Sequence, residues 1–223
     1  MLEAVGLGVR GVLVPQLTFW MAGIQAASSV LESHGIQAEQ FELAAGRRVR
    51  RDGPRGLISR CLRDLKAAPP TWAQRQAVLA ARGAVPAVGD LGWLRTLLAA
   101  VATDHQLGFV DNGVPEVMDA VLDRLGLGAL PARRVWTRSL GLDVALPRPF
   151  AFRWLAERWG LRPQACLYVA GTRAGWEAAR QARWRVEPSR SLDPPDACGW
   201  EAADLEALLE RLAASALVEG TDD

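Results

Sequence analysis

One stretch limits the folds open to this chain more than any other: Cys166–Val186, CLYVAGTRAGWEAARQARWRV. Leu167, Tyr168 and Val169 form a short apolar run of strand type, Ala170-Gly171-Thr172 breaks it, and helix formers fill Gly175 to Arg183 before a second short strand near Arg185–Glu187. Strand, loop, helix and strand within about 20 residues is the βαβ unit of a parallel sheet. In an open α/β sheet the loop after such a strand lines the ligand crevice at the strands' carboxyl ends. Here that loop holds no acid, no histidine and no nucleophile stronger than Thr172.

The rest of the chain extends the pattern. Val9–Val14 (VRGVLV) reads as a first buried strand and Pro15–Trp20 as its exit loop. Helical periodicity follows over Met21–His34, Ala38–Arg51 and Arg55–Ala67; Thr71 is placed to cap a helix over Trp72–Arg82, and Gly83–Gly89 reads as a linker. Asp90 is placed to cap a helix over Leu91–Thr103. Strands at Leu107–Val110 and Arg134–Trp136 then alternate with helices at Val114–Leu125 and within Pro147–Trp159, and the chain closes on a helix over Glu201–Ala214. The fold class expected is therefore α/β: a Rossmann-like, doubly wound parallel sheet formed by residues 1–20 and 89–223, with residues 21–88 inserted after strand one as a helical cap over the sheet's carboxyl edge. Hinges are expected near Phe19–Met21 and Pro86–Gly89, where the pattern breaks.

Charge excludes some functions. Across 223 residues the net charge is +1, so nothing global points to nucleic acid or an anionic membrane surface. Of 26 basic residues all but Lys66 are arginine, which with the abundant Ala and Gly fits a composition bias rather than a recognition surface. Cys61, Cys166 and Cys198 are scattered, with no C-x-x-C pair, as in a reduced cytoplasmic protein. Arg10 ahead of the apolar Gly11–Ile24 has the outline of a secretory leader, but Glu3, Pro15, Gln16 and Thr18 interrupt it. No run of about 20 apolar residues occurs, so no membrane span is expected.

Several phrases in order, LGFVDNG (Leu107–Gly113), LPRPFAF (Leu146–Phe152), CLYVAG…EAAR through Arg180, and PDACGWEAADLEALL (Pro195–Leu209), give the chain a resemblance over nearly its whole length to the haloacid dehalogenase-like (HAD) hydrolase superfamily. The resemblance implies an α/β core with a cap after strand one, and four motifs. An Asp-x-Asp-x-Thr follows strand one, its first Asp the nucleophile and its second the acid/base. A Ser or Thr after strand two binds the phosphoryl oxygen, a Lys neutralises nucleophile and phosphate, and a Gly-Asp-x-x-x-Asp pattern holds magnesium. Anchored on Thr18, the first motif falls on Val14 and Gln16, and there is no Asp anywhere before Asp52. The second falls on Asp111, the third on Leu146, and the two acids of the fourth on Gly171 and Gly175.

Independently of the family, the polar residues expected at the crevice are Gln16, Thr18, Asp111, Asn112, Arg148, Thr172 and Arg173. Covalent phosphoryl transfer needs an ionised nucleophile, a placed acid and cations over the transferring group, and magnesium needs several carboxylate oxygens. One carboxylate meets neither need. The expectation is a catalytically degenerate HAD-like protein acting as a binding or scaffolding subunit, without cofactor or bound metal, with a protein partner or homo-oligomer and with room for a small-molecule ligand. Trp154, Trp159 and Arg158 are the expected partner anchors. The alternatives are an enzyme with metal-independent chemistry using Asp111 with Arg148 or Arg173, and an ordinary HAD-type phosphatase or dehalogenase. His34 and His105 read as surface residues.

Overall fold

The structure, a computed structural model, describes residues 1–52, 56–89, 91–141, 143–188 and 200–218, with only the backbone described at 50–52 and 215–218. Five parallel strands form one sheet in the order β3-β2-β1-β4-β5: β1 Ala4–Leu7, β2 Gln106–Asp111, β3 Ala132–Trp136, β4 Cys166–Ala170 and β5 Arg185–Pro188. β1 is the middle strand, with Val5 opposite Leu107 on β2 and Leu167 on β4. The winding of the sheet reverses there, so the loops leaving β1 and β4 lie side by side at the carboxyl end, where α/β sheets place their crevice.

The first strand corrects the sequence reading. Val9–Val14 is richer in β-branched residues, but Gly11 takes a φ of +78° that a strand cannot contain, and backbone bonds from Leu13 and Val14 back to the Val9 carbonyl curl the segment into a loop. Ala4–Leu7, only four residues and including Gly6, is buried throughout and pairs on both edges. The expected exit loop Pro15–Trp20 is also helix: α1 runs Gln16–Glu32, with Pro15 immediately ahead of it, where a fixed φ suits a helix start. No break exists at Phe19–Met21. Thr71 is the first residue of its helix rather than its cap, which is Pro70. Asp90 and Cys198 lie outside the described residues.

The described residues form two compact units, one from Met1–Pro15 with those from Val88 onward, the other Gln16–Ala87. Among its described residues the second is wholly helical: α1, α2 Ala38–Asp52, α3 Leu57–Asp64 and α4 Thr71–Gly83. Ile24, Leu31, Phe41, Val49 and Leu62 are buried in its own core. At Gly23 a β-carbon would stand 3.0 Å from the Ala81 carbonyl oxygen, so the glycine lets α1 and α4 approach closely.

In the sheet unit the helices are α5 Gly92–Asp104, α6 Pro115–Arg124, α7 Phe150–Trp159, α8 Arg173–Gln181 and α9 Ala202–Val218. One core cluster joins the strands to α7 and α8 and is dominated by aromatics. Phe152 meets Tyr168 edge-on at 4.7 Å and Trp184 at 5.2 Å, contacts worth about 0.5–1.5 kcal/mol each beyond burial. Their bulk fits because the facing strand residues are glycines. A β-carbon on Gly6 would stand 3.1 Å from the Trp184 ring, and one on Gly108 would stand 3.0 Å from the Trp159 ring.

Candidate functional site

The loops at the carboxyl end of β1, β2 and β4 converge on one buried ion pair. Leaving β1, the chain reads Gly8-Val9-Arg10-Gly11-Val12. The Arg10 backbone N–H donates to Asp111 Oδ2 at 2.9 Å, and its Nε donates to Oδ1 at 2.6 Å, with Nη2 2.5 Å from the same oxygen. The Asp111 side chain is 4% exposed and that of Arg10 27%, so the carboxylate's partners come from Arg10 rather than from water. A buried charge persists only when its partners compensate for lost hydration, and three donors from one residue do that here.

The other polar groups of this edge are also committed. Thr137, fully buried after β3, donates toward Asn112 Oδ1 (2.9 Å) and the Asp111 carbonyl (3.4 Å), and its Oγ1 accepts from the Leu146 N–H. Thr172 caps α8 by accepting from Gly175 N–H at 3.2 Å. Trp200 donates its backbone N–H to the Gly11 carbonyl at 2.9 Å and its indole N–H to the Ala170 carbonyl at 3.3 Å, tying together the loops after β1 and β4.

Tyr168 occupies the space beneath. Its hydroxyl donates to the Val110 carbonyl at 3.3 Å. A β-carbon on Gly8 would lie 3.0 Å from that hydroxyl oxygen and one on Gly175 2.8 Å from it. Burial pushes the phenol's pKa well above its ordinary value, the nearby Asp111 charge adds to the rise and Arg10 opposes it, so it stays a neutral donor. Gly11 and Gly171 press backbone to backbone, and a β-carbon on either would overlap the other's main chain.

Of the residues expected at the crevice, the structure brings Asp111 and Asn112 together with Thr137, and leaves the others in different roles. Gln16 and Thr18 lie in the first turn of α1, in the helical unit, and Val14 is a buried loop residue. The residues that directly follow strand one are Gly8, Val9 and Arg10; Val14 and Gln16 lie farther along the chain. Arg148 is exposed, and Arg173 is exposed and paired with Glu177 at 3.0 Å; neither bonds Asp111. Leu146 is buried in the aromatic core, with a cis bond to Pro147. Trp159, expected as an exposed anchor, instead packs its ring over Gly108 and lies 6.0 Å from the Trp184 ring. His105 is 8% exposed, not a surface residue.

Sequence reading missed Arg10, Thr137, Tyr168 and Trp200. The available signal was the lone cation three residues beyond a short buried strand, facing an Asp at the end of the next one.

A magnesium site does not fit these residues. Asp111 is already engaged by the Arg10 cation, and at Gly171, where the resemblance implies an acid, no side chain can be accommodated. Among the described residues no group of three His, Cys, Asp or Glu side chains is placed to hold a metal ion. The thiols of Cys61 and Cys166 are free and buried, and burial pushes each up to about 11. No helix among the described residues is long and apolar enough to cross a membrane.

No protein-family model matches the chain, and no curated protein does. Solved structures do. A HAD-superfamily hydrolase of subfamily IA, variant 1, from Geobacter sulfurreducens superimposes with a TM-score of 0.65 at 17% identity, over 95% of this chain and 96% of that one. An L-2-haloacid dehalogenase gives 0.61 at 18% identity, over 96% and 100%. A HAD family hydrolase from Deinococcus radiodurans, solved with bound phosphate and sodium, gives 0.59 at 20%, over 97% of each. The fold is therefore HAD-like.

Proposed function

We propose that this chain is a HAD-fold protein whose carboxyl-edge crevice has become part of its structural core, and that it serves as a binding or scaffolding subunit rather than a metal-dependent hydrolase. The observation that carries this reading is the Arg10–Asp111 pair seated above the Tyr168 hydroxyl. One element places a cation where a HAD hydrolase has an acid, and the other fills the space from which the nucleophile's side chain would rise. No Asp precedes residue 52, so no shift of alignment supplies the nucleophile. The partner is a protein or a second copy of the chain; Phe150 and Trp154, 43% and 40% exposed one turn apart on α7 beside Arg153 and Arg158, are the surface that supports this. A cytoplasmic location, with its thiols reduced, belongs to the same reading.

A second reading, a HAD-type phosphatase or dehalogenase, is favoured by the likeness to solved structures that carry those names. It must draw on Asp111, an acid already engaged by three donors.

Turnover separates the two. The purified chain is incubated with magnesium and a panel of phosphate monoesters and 2-haloacids. The first reading expects hydrolysis at the buffer rate. Magnesium-dependent turnover that survives further purification and disappears in Asp111→Asn would establish the second.

A further inference from the structure

Two helices that share one core cluster, α7 and α8, carry the same pairs of side chains at the same spacing, with different outcomes. On α8, Arg173 and Glu177 lie four residues apart and close on each other at 3.0 Å. Arg180 likewise closes over the ring of Trp176, four residues before it, at 4.7 Å. The sequence of α7 repeats both pairs, Arg153 with Glu157 and Trp154 with Arg158, and neither closes. Among the described residues Arg153, Glu157 and Arg158 have no ion-pair partner, and no cation lies over the Trp154 ring. These four side chains and Phe150 are all exposed. They fall at i, i+3, i+4, i+7 and i+8, one stripe along the outer side of a helix. The inner side, with Ala151, Phe152, Leu155 and Ala156, is buried in the core.

We infer that this stripe is the docking face for a second copy of the chain, its α7 packed antiparallel on the first about a two-fold axis level with Leu155. At about 1.5 Å of rise per residue, Arg153 lies about 3 Å to one side of that level and Glu157 about 3 Å to the other. The two-fold exchanges the two levels, so Arg153 of each copy meets Glu157 of the other and the ion pair is made twice. Trp154 lies about 1.5 Å from the same level, which brings the two indoles together at the centre, with Phe150 and Arg158 toward the ends. Aromatic rings at the middle with charges around them are the anatomy of a specific contact. Charge decides the occupant. An acidic partner would suit the two arginines and be repelled by Glu157, and a basic one the reverse; a second copy in this register satisfies both signs at once. A helix of 10 residues offers a small face, so the dimer is a weak one that forms in the micromolar range or above. The inference deepens the proposed function and rests on its reading of α7 as a partner surface.

The test is sedimentation velocity of the full chain across the micromolar range into the millimolar. The parent is expected to pass from monomer to dimer as concentration rises. Arg153→Glu and Glu157→Arg each bring like charges together, and each alone should weaken the dimer at least about tenfold. Mixed in equal amounts, the two variants should dimerise with each other, since both acids of the first then meet arginines of the second. The double reversal Arg153→Glu/Glu157→Arg should recover the parent's dimer, because it exchanges the two signs within the same register. Trp154→Ala should weaken it further than either single reversal, having lost the centre. All these side chains are exposed, so the parent's melting temperature is expected in every variant. A parent that stays monomeric at every concentration would overturn the proposal and leave the face to a different protein. A dimer that the single reversals leave intact, or reversals that neither mixing nor the double variant rescues, would overturn it as well. Assembly is read without turnover, so the magnesium assay with Asp111→Asn decides the proposed function separately.

Discussion

The two ends of the sheet use their polar groups in opposite ways. At the carboxyl end Asp111, Arg10, Asn112, Thr137, Thr172, Tyr168 and Trp200 each have a partner in the chain itself, and glycines at 8, 11, 171 and 175 let the backbone and a phenol close the remaining space. At the amino end the buried nitrogens His105 Nδ1 and Trp159 Nε1, and the exposed acids Glu3 and Asp104, have no hydrogen-bond or ion-pair partner among the described residues. Fully paired groups stabilise and rigidify, whereas a buried polar group without a partner costs about 1–3 kcal/mol.

The comparison can be broken most severely at Gly171. Gly171→Asp restores an acid that the resemblance assigns to magnesium, but drives its β-carbon into the Gly11 main chain. A loss above about 4 kcal/mol, or failure to fold, is expected in urea unfolding. A variant as stable as the parent would show that the loops are not closed on each other.

Gly8→Ala probes the same end more gently. Its methyl group would sit 3.0 Å from the Tyr168 hydroxyl oxygen, tighter than ordinary contact, and should cost about 1–3 kcal/mol. Tyr168→Phe removes that oxygen and should recover part of the loss, a coupling visible in a double-mutant cycle. Additive effects would place the hydroxyl elsewhere.

Alkaline pH sharpens the contrast by way of buried groups. Cys61 and Cys166 rise from 9.0 to about 11, each chiefly through burial, with the Glu3 charge adding to the rise at Cys166. Their native pKa lies above the unfolded one, so the unfolded chain loses protons first as pH rises. Stability is fully present below about pH 9 and falls by up to about 2 kcal/mol per thiol toward pH 11. Melting temperature against pH measures it. Glu3→Gln should leave the native Cys166 easier to ionise, read as a smaller fall in melting temperature between pH 9 and 11.

The smallest effect is expected at the amino end. Glu3→Gln/Asp104→Asn removes two exposed acids that have no ion-pair partner among the described residues, so the stability change should stay within about 0.5 kcal/mol of the parent. A loss of several kcal/mol would mean these acids are structural after all.

Much of this architecture was readable in the residues. The βαβ unit at Cys166–Val186 fixed the parallel sheet because its strand run is too short for a helix and its glycine break too clean for a continuous one. Asp111 and Asn112 were placed because they end a strand. What failed was register at the amino terminus. Ala4–Leu7 owes its strand to neighbours on both sides, a tertiary effect no local propensity carries, so the strand expected at Val9–Val14 lies instead at Ala4–Leu7. The Arg10–Asp111 pair spans 101 residues, and Tyr168 reaches Val110 across 58, so neither partner's sequence neighbourhood announces the other.

The most direct measurement is the coupling energy between Arg10 and Asp111, from the unfolding free energies of Arg10→Ala, Asp111→Ala and the double variant. If the carboxyl end is structural, Arg10→Ala strands a nearly buried carboxylate and costs about 3–5 kcal/mol. Asp111→Ala costs less, because Arg10 can reach water, and the double variant recovers more than about 1 kcal/mol of the summed loss. Active-site charges behave differently, since their removal commonly leaves stability unchanged or raised. Single variants as stable as the parent, with no coupling, would contradict the account and place the pair in a working site.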